Sequence, residues 1–426
     1  MAAVGVAGVI VGPGYYGKTG WAIPDDLWGT LIAAQRLLHL NLASLYTPPT
    51  ELVSLPGAAV ILVPVVVILA AARIPLLAPA MVNHHPGSWL LVGPYEVAIS
   101  AVVLFAADAI AERLGVTRPK RFLLAAAGAT ALWSVTVRWG HPEDAVATGL
   151  LLYAILALSE AKPGRSGWLA GAAVAVQPLV LLAFPVLIAV VPPQQRRGFL
   201  TRAAVPGVLL LAVAAAANWT ATIHAVTSQP NSPRVDHPTP WVYLAPHLAD
   251  GDVAAGPARI VAIVAACVCG FFAWRRWRPA RPAAPPPAAQ CPPAAQCPPA
   301  GPAVPWRPEM LQDLLWWTAV ALALRSVFEP VMVAYYLWPP MAVALVAASR
   351  DWSRLLPTGC GVVVLTFFSQ VSWHNPWGWW TPMVAVLGLI LFLARAKWGR
   401  EAGLWLAPPP QVLPEPGEQF VADGAP

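Results

Sequence analysis

The sequence predicts an all-α, polytopic integral membrane protein, and three observations carry that expectation: a surplus of apolar residues, their arrangement in long runs, and the placement of tryptophan. Of 426 residues, 58% are hydrophobic and only 11% charged, and the mean hydropathy is +0.61; a soluble domain carries about 25% charged residues. Apolar runs such as 57–72, 122–137, 203–217 and 383–394 recur along the chain. In lipid, an isolated segment satisfies its backbone hydrogen bonds only as a helix. The 21 Trp residues gather near the ends of these runs, as at Trp28, Trp168, Trp241, Trp316 and Trp317, where an amphipathic ring favours the headgroup layer. Counting the runs gives about 11 to 13 transmembrane helices, some of them short or broken.

The formal net charge is +6, but Arg and Lys sit in short clusters between apolar runs rather than along one face, so they mark topology and not a nucleic-acid partner. Clusters at 113–121, 162–165, 196–202, 275–281, 350–354 and 395–400 read as cytoplasmic by the positive-inside rule. The first 16 residues are apolar without a basic leader or a small-residue cleavage site, and read as a short first helix. Two stretches, 56–83 and 168–191, must begin and end on the same side. Each is expected to break into two short helices, at Pro64, Pro75 and Pro79 in the first and at Pro178 and Pro185 in the second. The domain organisation is then a transmembrane module over 1–278 with a first outside loop at 17–55, a Pro/Ala-rich cytoplasmic linker at 279–308, C-terminal helices over 309–400, and a tail at 401–426 whose composition is that of a disordered segment.

The candidate chemistry falls on the segments left outside. The first loop carries Asp25 and Asp26, followed over 26–45 by Leu31, Ala34, Leu38, Leu42 and Leu45 at helical spacing, the pattern of an amphipathic helix at the interface. One carboxylate can serve as helix cap; two adjacent ones favour a functional role. The second constellation is Arg138, His141, Glu143 and Asp144, four ionisable groups between two apolar runs, a costly placement that is functional by default. A guanidinium there can take phosphate, and a carboxylate can hold sugar hydroxyls or act as a base. Glu143 and Asp144 can equally cap the next helix. Gln177 precedes Pro178 within an apolar stretch and needs a hydrogen-bond partner, from a neighbouring helix or from a substrate. Arg325 and Glu329 are spaced to pair one turn apart on a helix, and Arg325 can alternatively bind phosphate. The Pro-rich loop 228–241 carries Arg234, Asp236 and His237, a linker or a lid. The histidines lack metal-site spacing, and the five Cys are scattered without a disulfide or zinc framework. No cofactor is implied. The Asn218-Trp219-Thr220 glycosylation pattern carries little weight beside an Ala/Arg/Pro bias typical of a high-GC bacterium.

Taken in order, the segments IPDDLWGTLIAAQRLLHLNLASLY, TPPTELVSLPGAAVILVP, GHPED and GWLAGAAVAVQPLVLLAFPVLIAV resemble the GT-C superfamily of membrane glycosyltransferases, and most nearly the actinobacterial polyprenyl-phosphate-mannose-dependent mannosyltransferases. The resemblance covers about residues 1–350. It implies a plasma-membrane enzyme that takes a sugar, mannose in the nearest relatives, from a polyprenyl-phosphate donor to a lipid or glycan acceptor at the extracytoplasmic face with inversion. It also implies that an acidic residue of the first outside loop, Asp25 or Asp26, is the general base. Many relatives have Lys where this chain has Gln177, which leaves phosphate recognition to Arg138 or Arg325. A transporter or flippase of a lipid-linked substrate, and an inactive scaffold of the same fold, are the alternative readings.

Overall fold

The computed structural model describes residues 24–48, 52, 54–76, 87–228, 231–234, 236–248, 251–254, 256–277, 306–371 and 375–395. The expected first helix, nearly all of the linker and the tail lie outside the described residues. Sixteen α-helices are described: α1 Asp25–Leu38, α2 Gly57–Val60, α3 Val63–Ala71, α4 Gly87–Ser100, α5 Val102–Arg113, α6 Arg118–Trp133, α7 Pro142–Ser159, α8 Pro163–Val176, α9 Phe184–Val190, α10 Pro193–Ala217, α11 Trp219–Ser228, α12 Ala258–Arg276, α13 Pro308–Phe328, α14 Trp338–Ala348, α15 Trp352–Phe368 and α16 Pro376–Ala394. Five stretches are long and apolar enough to cross a membrane: Leu90–Arg113, Pro142–Ser159, Pro193–Ala217, Ala258–Arg276 and Pro376–Ala394. This is the architecture of an all-α membrane protein.

Burial follows the logic of a lipid solvent. Every residue of α14 from Trp338 to Ala348 is buried, and α7 is nearly so. The long helices α10, α12 and α16 turn Val208, Leu209, Ile260, Ile263 and Phe392 outward at 55–69% exposure. In water such faces would drive association; in hydrocarbon they cost nothing. Because lipid supplies no hydrophobic force between helices, close approach relies on small residues. Gly167 and Gly171, one turn apart on α8, meet the α10 backbone so closely that added Cβ atoms would lie 2.7 Å from the Phe199 carbonyl oxygen and 2.4 Å from that of Ala203.

Both stretches are interrupted among the described residues, although Pro64 lies in the first turn of α3 and not at the break, and Pro79 lies outside the described residues. The first stretch divides into α2 and α3 around a turn at Ile61 and Leu62. The second leaves α8 at Gln177, whose backbone is extended (φ −143°, ψ 109°), and continues as a 3-10 turn over Pro178–Ala183 before α9. Pro178 has no N–H for the ladder, so the helix ends one residue earlier.

Helix α1 differs from its expectation twice. It ends at Leu38 rather than running to residue 45, because Leu40 takes a left-handed conformation (φ 55°) and the Arg36 guanidinium gathers the carbonyls of Ser44, Thr47 and Pro48. Three inward donors from one side chain hold the chain in a turn that a continuing helix could not make. Its apolar stripe is also spent on protein: Leu27, Leu31 and Ala34 are buried in one cluster with Leu62, Val65 and Leu69 of the α2–α3 return.

Three basic clusters meet at one end of the helices. Lys120 donates to the Arg350 carbonyl, Arg350 pairs with Glu309 at 2.6 Å, and Arg276 pairs with Asp313 at 3.1 Å. Helix α7, 18 residues long, spans roughly 27 Å, and it separates the Lys162 cluster that follows its C-terminus from the Gly140–Asp144 turn at its start.

Replacing Gly171 by Val should lower the melting temperature of the purified protein in detergent, an overpacking cost of about 1–3 kcal/mol. Gly388→Val, where an added Cβ meets nothing within 4 Å, should leave the melting temperature unchanged. Equal effects of the two would dismiss the α8–α10 contact as a packing determinant.

Candidate functional site

The site begins with a proline and a glycine. Pro24 occupies the position before α1 and makes no side-chain cap, so neither aspartate is the cap residue: Asp25 and Asp26 are the first two helical residues. The side chain of Asp25 lies outside the described residues. That of Asp26 points to the turn that precedes α7. There Gly140 adopts φ +68°, and a Cβ at Gly140 would lie 2.8 Å from Leu27 Cβ and 2.9 Å from Pro24 Cγ. Only glycine tolerates both the conformation and the contact. The close approach brings His141 against Asp26 although 115 residues separate them.

His141 is buried between two carboxylates, with Nε2 3.0 Å from Asp26 Oδ2 and Nδ1 2.6 Å from Glu143 Oε1. Ionised carboxylates only accept hydrogen bonds, so a neutral imidazole would leave one ring nitrogen facing a lone pair. The doubly protonated ring donates to both. Burial works against that charge, but the Glu143 carboxylate and the Asp26 contact outweigh it and raise His141 well above its ordinary 6.5. Burial likewise opposes ionisation of Asp26, and the hydrogen bond and charge of His141 reverse it, lowering Asp26 below its ordinary 3.8. The imidazole is pinned from its face by Tyr335, stacked at 3.8 Å between ring centroids.

Further polar groups close around this pair. Gln177, freed from its helix by the Pro178 break, donates from Nε2 to Asp144 Oδ1 at 2.9 Å; the amide that needed a partner has one on a neighbouring helix. Glu143 and Asp144 are both buried in the first turn of α7, not solvated. Arg325 and Glu329 pair at 3.6 Å as their spacing predicts, but Glu329 also accepts from Arg259 Nε at 3.0 and 3.1 Å. His141, Glu143, Gln177, Arg259, Arg325 and Glu329 line one cavity of about 240 Å³, together with Tyr335, Tyr336 and apolar residues of the Pro178–Leu182 turn. Its lining carries both carboxylates and guanidinia.

The structure thus brings together Asp26, His141, Glu143, Asp144, Gln177 and Arg325. Two expected members stand apart. Arg138 ends a π-helical segment, Ser134–Arg138, with its guanidinium 6.0 Å from the Trp139 ring, and it does not line the cavity. His237 does not line it either: it stacks on Trp379 at 4.0 Å, 3.2 Å from the Val371 carbonyl through Nε2, within a short strand His237–Pro238 paired with Val331–Met332. Sequence reasoning missed Arg259, Tyr335, Tyr336 and Glu96, and named Asp236 only as part of the linker or lid. Burial first, then the Asp26 charge, pushes Asp236 up to about 7, while His141 pulls the other way. Glu96 is buried within α4, in electrostatic reach of Glu143 and His141. A carboxyl inside an apolar helix was a signal that could have found it. Arg259 reads as a helix boundary and the tyrosines as interfacial anchors, so nothing local distinguished them.

No protein-family model matches the chain, and no curated protein is significantly similar to it.

Two outcomes follow from this geometry. The raised His141 value contributes stability that is complete below 6.5 and is lost as pH rises through the folded value; the lowered Asp26 value contributes above 3.8 and is lost as pH falls through its folded value. Thermal stability in detergent should therefore fall on the alkaline side of about pH 6.5 in the wild type, and His141→Gln should flatten that limb. A double-mutant cycle of Asp26→Asn and His141→Gln should give a coupling of about 1 kcal/mol, discounted because 55% of the Asp26 side chain is open. Additive effects would mean that the contact does not hold in solution. Gly140→Ala should remove the coupling altogether, since α1 must then move away from the turn.

Proposed function

We propose that the protein is a GT-C-like membrane glycosyltransferase of about 11 to 13 transmembrane helices, resident in the plasma membrane, with its active site at the extracytoplasmic face. It transfers a sugar, mannose on the resemblance of its motifs, from a polyprenyl-phosphate donor to a lipid or cell-envelope glycan acceptor. The observation that carries this reading is the convergence on one cavity of an aspartate-linked histidine and a guanidinium, at the helix ends opposite the basic clusters.

In the reaction, an oxygen of the Asp26 carboxylate takes the proton of the acceptor hydroxyl as that oxygen attacks the anomeric carbon. The carbon–oxygen bond to phosphate breaks on the opposite face of the sugar, which inverts the centre, and polyprenyl phosphate leaves with the electron pair. Arg325 stabilises the growing phosphate charge in a site where water is scarce and its field is strong. His141 does not serve as the base, since its ring already holds both protons; it aims the Asp26 carboxylate. Gln177, where many members of the resembled family carry Lys, is bonded to Asp144, so the cation role passes to the arginines.

A second reading is favoured by a particular pair of features: Glu96 buried within a membrane helix and a helix broken at Gln177 beside the cavity. Both are found in transporters, which place ionisable groups and broken helices at their substrate sites.

Purified protein with polyprenyl-phosphate mannose and lipid or glycan acceptors should transfer sugar, and Asp26→Asn should slow transfer about 10²- to 10⁴-fold, the usual worth of a general base. Turnover that survives Asp25→Ala combined with Asp26→Ala would dismiss the base assignment. Movement of the donor across proteoliposomes without sugar transfer would favour the transporter, and reporter fusions placing residues 140–144 in the cytoplasm would reverse the orientation.

A further inference from the structure

Glu96 is an acid that the transfer reaction does not use. It lies in α4, within the stretch Leu90–Arg113 that is long and apolar enough to cross a membrane, and it is 1% exposed. Its neighbours on the same face of the helix are polar. Ser88 sits about two turns before it and Ser100 about one turn after, and both are buried. Glu96 Oε1 and the two serine hydroxyls find no hydrogen-bond partner among the described residues. Tyr95, by contrast, turns to the α2–α3 return and donates to the Ile61 carbonyl at 2.6 Å. One buried edge of α4 thus carries a row of polar groups that the protein leaves unanswered.

That edge meets the acidic start of α7. Helix α4 packs on α7 and on the π-helical segment Ser134–Arg138, and α5 continues the contact: a Cβ added at Gly149 would lie 2.9 Å from Val102 Cγ1. Val102 follows Glu96 by six positions, as Gly149 follows Glu143. Helices running side by side with the same rise per residue therefore set Glu96 level with Glu143, and the electrostatic coupling of Glu96 to Glu143 and His141 agrees. The charged groups that border the edge are Glu143, Asp144 and His141 from α7 and its leading turn, with Arg138 at the end of the π-helical segment. Asp144 Oδ2 is also without a hydrogen-bond partner among the described residues. Glu143 already serves His141 at 2.6 Å. A second bare carboxylate beside it, buried and unpaired, would be far more costly than a carboxylic acid. Even the acid needs partners, and several orphaned polar atoms along one edge are what a buried water requires.

We propose that Glu96 is a membrane-buried proton-binding site, whose carboxyl holds a proton and exchanges it with Glu143 through water bound along the Ser88–Ser100 edge of α4. In the exchange the Glu96 O–H bond breaks, its electron pair stays on Glu96, and a Glu143 oxygen gains the proton. Charge moves between the two acids and its sum is unchanged, so no further reactant enters. His141 then faces a carboxylic acid through Nδ1 and keeps Asp26 as its carboxylate partner, so the proton on this edge sets how firmly the imidazolium is held. The site stands apart from the transfer chemistry and does not depend on it.

The experiment is infrared spectroscopy of the full chain in detergent, which separates the carbonyl stretch of a protonated carboxyl from the bands of carboxylates. With glutamate isotopically labelled at its carboxyl carbon, the wild type should show a protonated band that moves on labelling. Glu96→Gln should remove that band, and Glu96→Asp should return one that the glutamate label leaves in place. Transfer to heavy water should shift the wild-type band, and Ser88→Ala combined with Ser100→Ala should slow the shift about tenfold, the worth of one hydrogen bond in a barrier. If the wild type has no label-sensitive protonated band, Glu96 is ionised and the proposal is wrong, even should every variant fail to fold. A band that survives Glu96→Gln would assign the proton to another glutamate. A band that never shifts in heavy water would make Glu96 a sealed structural acid, and a shift as fast in the serine variant would remove the water route. Sugar transfer is not measured, so any of these failures leaves the glycosyltransferase reading standing.

Discussion

A charged imidazole between two carboxylates organises the whole polar end of this protein. His141 can keep both ring protons in a buried place only because Asp26 and Glu143 each accept one, and the two acids come from distant parts of the chain. The contact has strict geometric conditions. Gly140 must be left-handed, Pro24 and Leu27 must pack directly on it, and Tyr335 must cover the ring. Each condition ties another element to the same point: α1 through Asp26, α7 through Glu143, and the segment before α14 through Tyr335. His141 with α7 and the segment before α14 lines the cavity together with the Pro178 turn, α12 and α13.

The remainder of the fold is arranged so that this cluster exists at the end of a body surrounded by hydrocarbon. Helices α7 and α14 are enclosed by protein, while α10, α12 and α16 show apolar side chains outward. Lipid offers the backbone no hydrogen bonds, so irregular chain is tolerated only where protein or a cavity borders it. The break at Gln177 obeys that rule. Its backbone leaves the helix beside the cavity, and its side chain answers Asp144 on the neighbouring helix.

Charge is distributed with the same economy. At one end of the helices the basic clusters pair with acids through Arg350–Glu309 and Arg276–Asp313, and the cavity sets Arg259 and Arg325 around Glu329. Removing one member of a buried pair leaves an uncompensated charge, which is far more costly than the pair is favourable. Such groups persist where function needs them, and at the cavity they face a common space. The two arginines and His141 line one cavity, and Asp26 adjoins it through its contact with His141.

Much of this was legible in the sequence, for reasons of local chemistry. Apolar runs, Pro178 within one of them, Arg325 four residues before Glu329, and ionisable residues in GHPED each carry their meaning within a few positions, because helix periodicity, the missing proline N–H and desolvation act locally. The breaks and the Arg325–Glu329 pair followed. One reading did not hold, and two candidate residues do not line the cavity. Helix α1 stops at Leu38 because the Arg36 guanidinium collects carbonyls up to twelve residues away, Arg138 turns toward Trp139, and His237 is drawn into a pairing with Met332 and a stack on Trp379. For α1 and His237, partners several or many residues away in sequence decided the outcome. By itself, then, the sequence determined the solvent, the helical class, the interruptions and the residues able to do chemistry. Only the tertiary structure decided which of them meet, because the glycine contact that seats Asp26 on His141 and the helix ends that set Arg259 beside Glu329 are matters of packing between segments, and no local pattern records them.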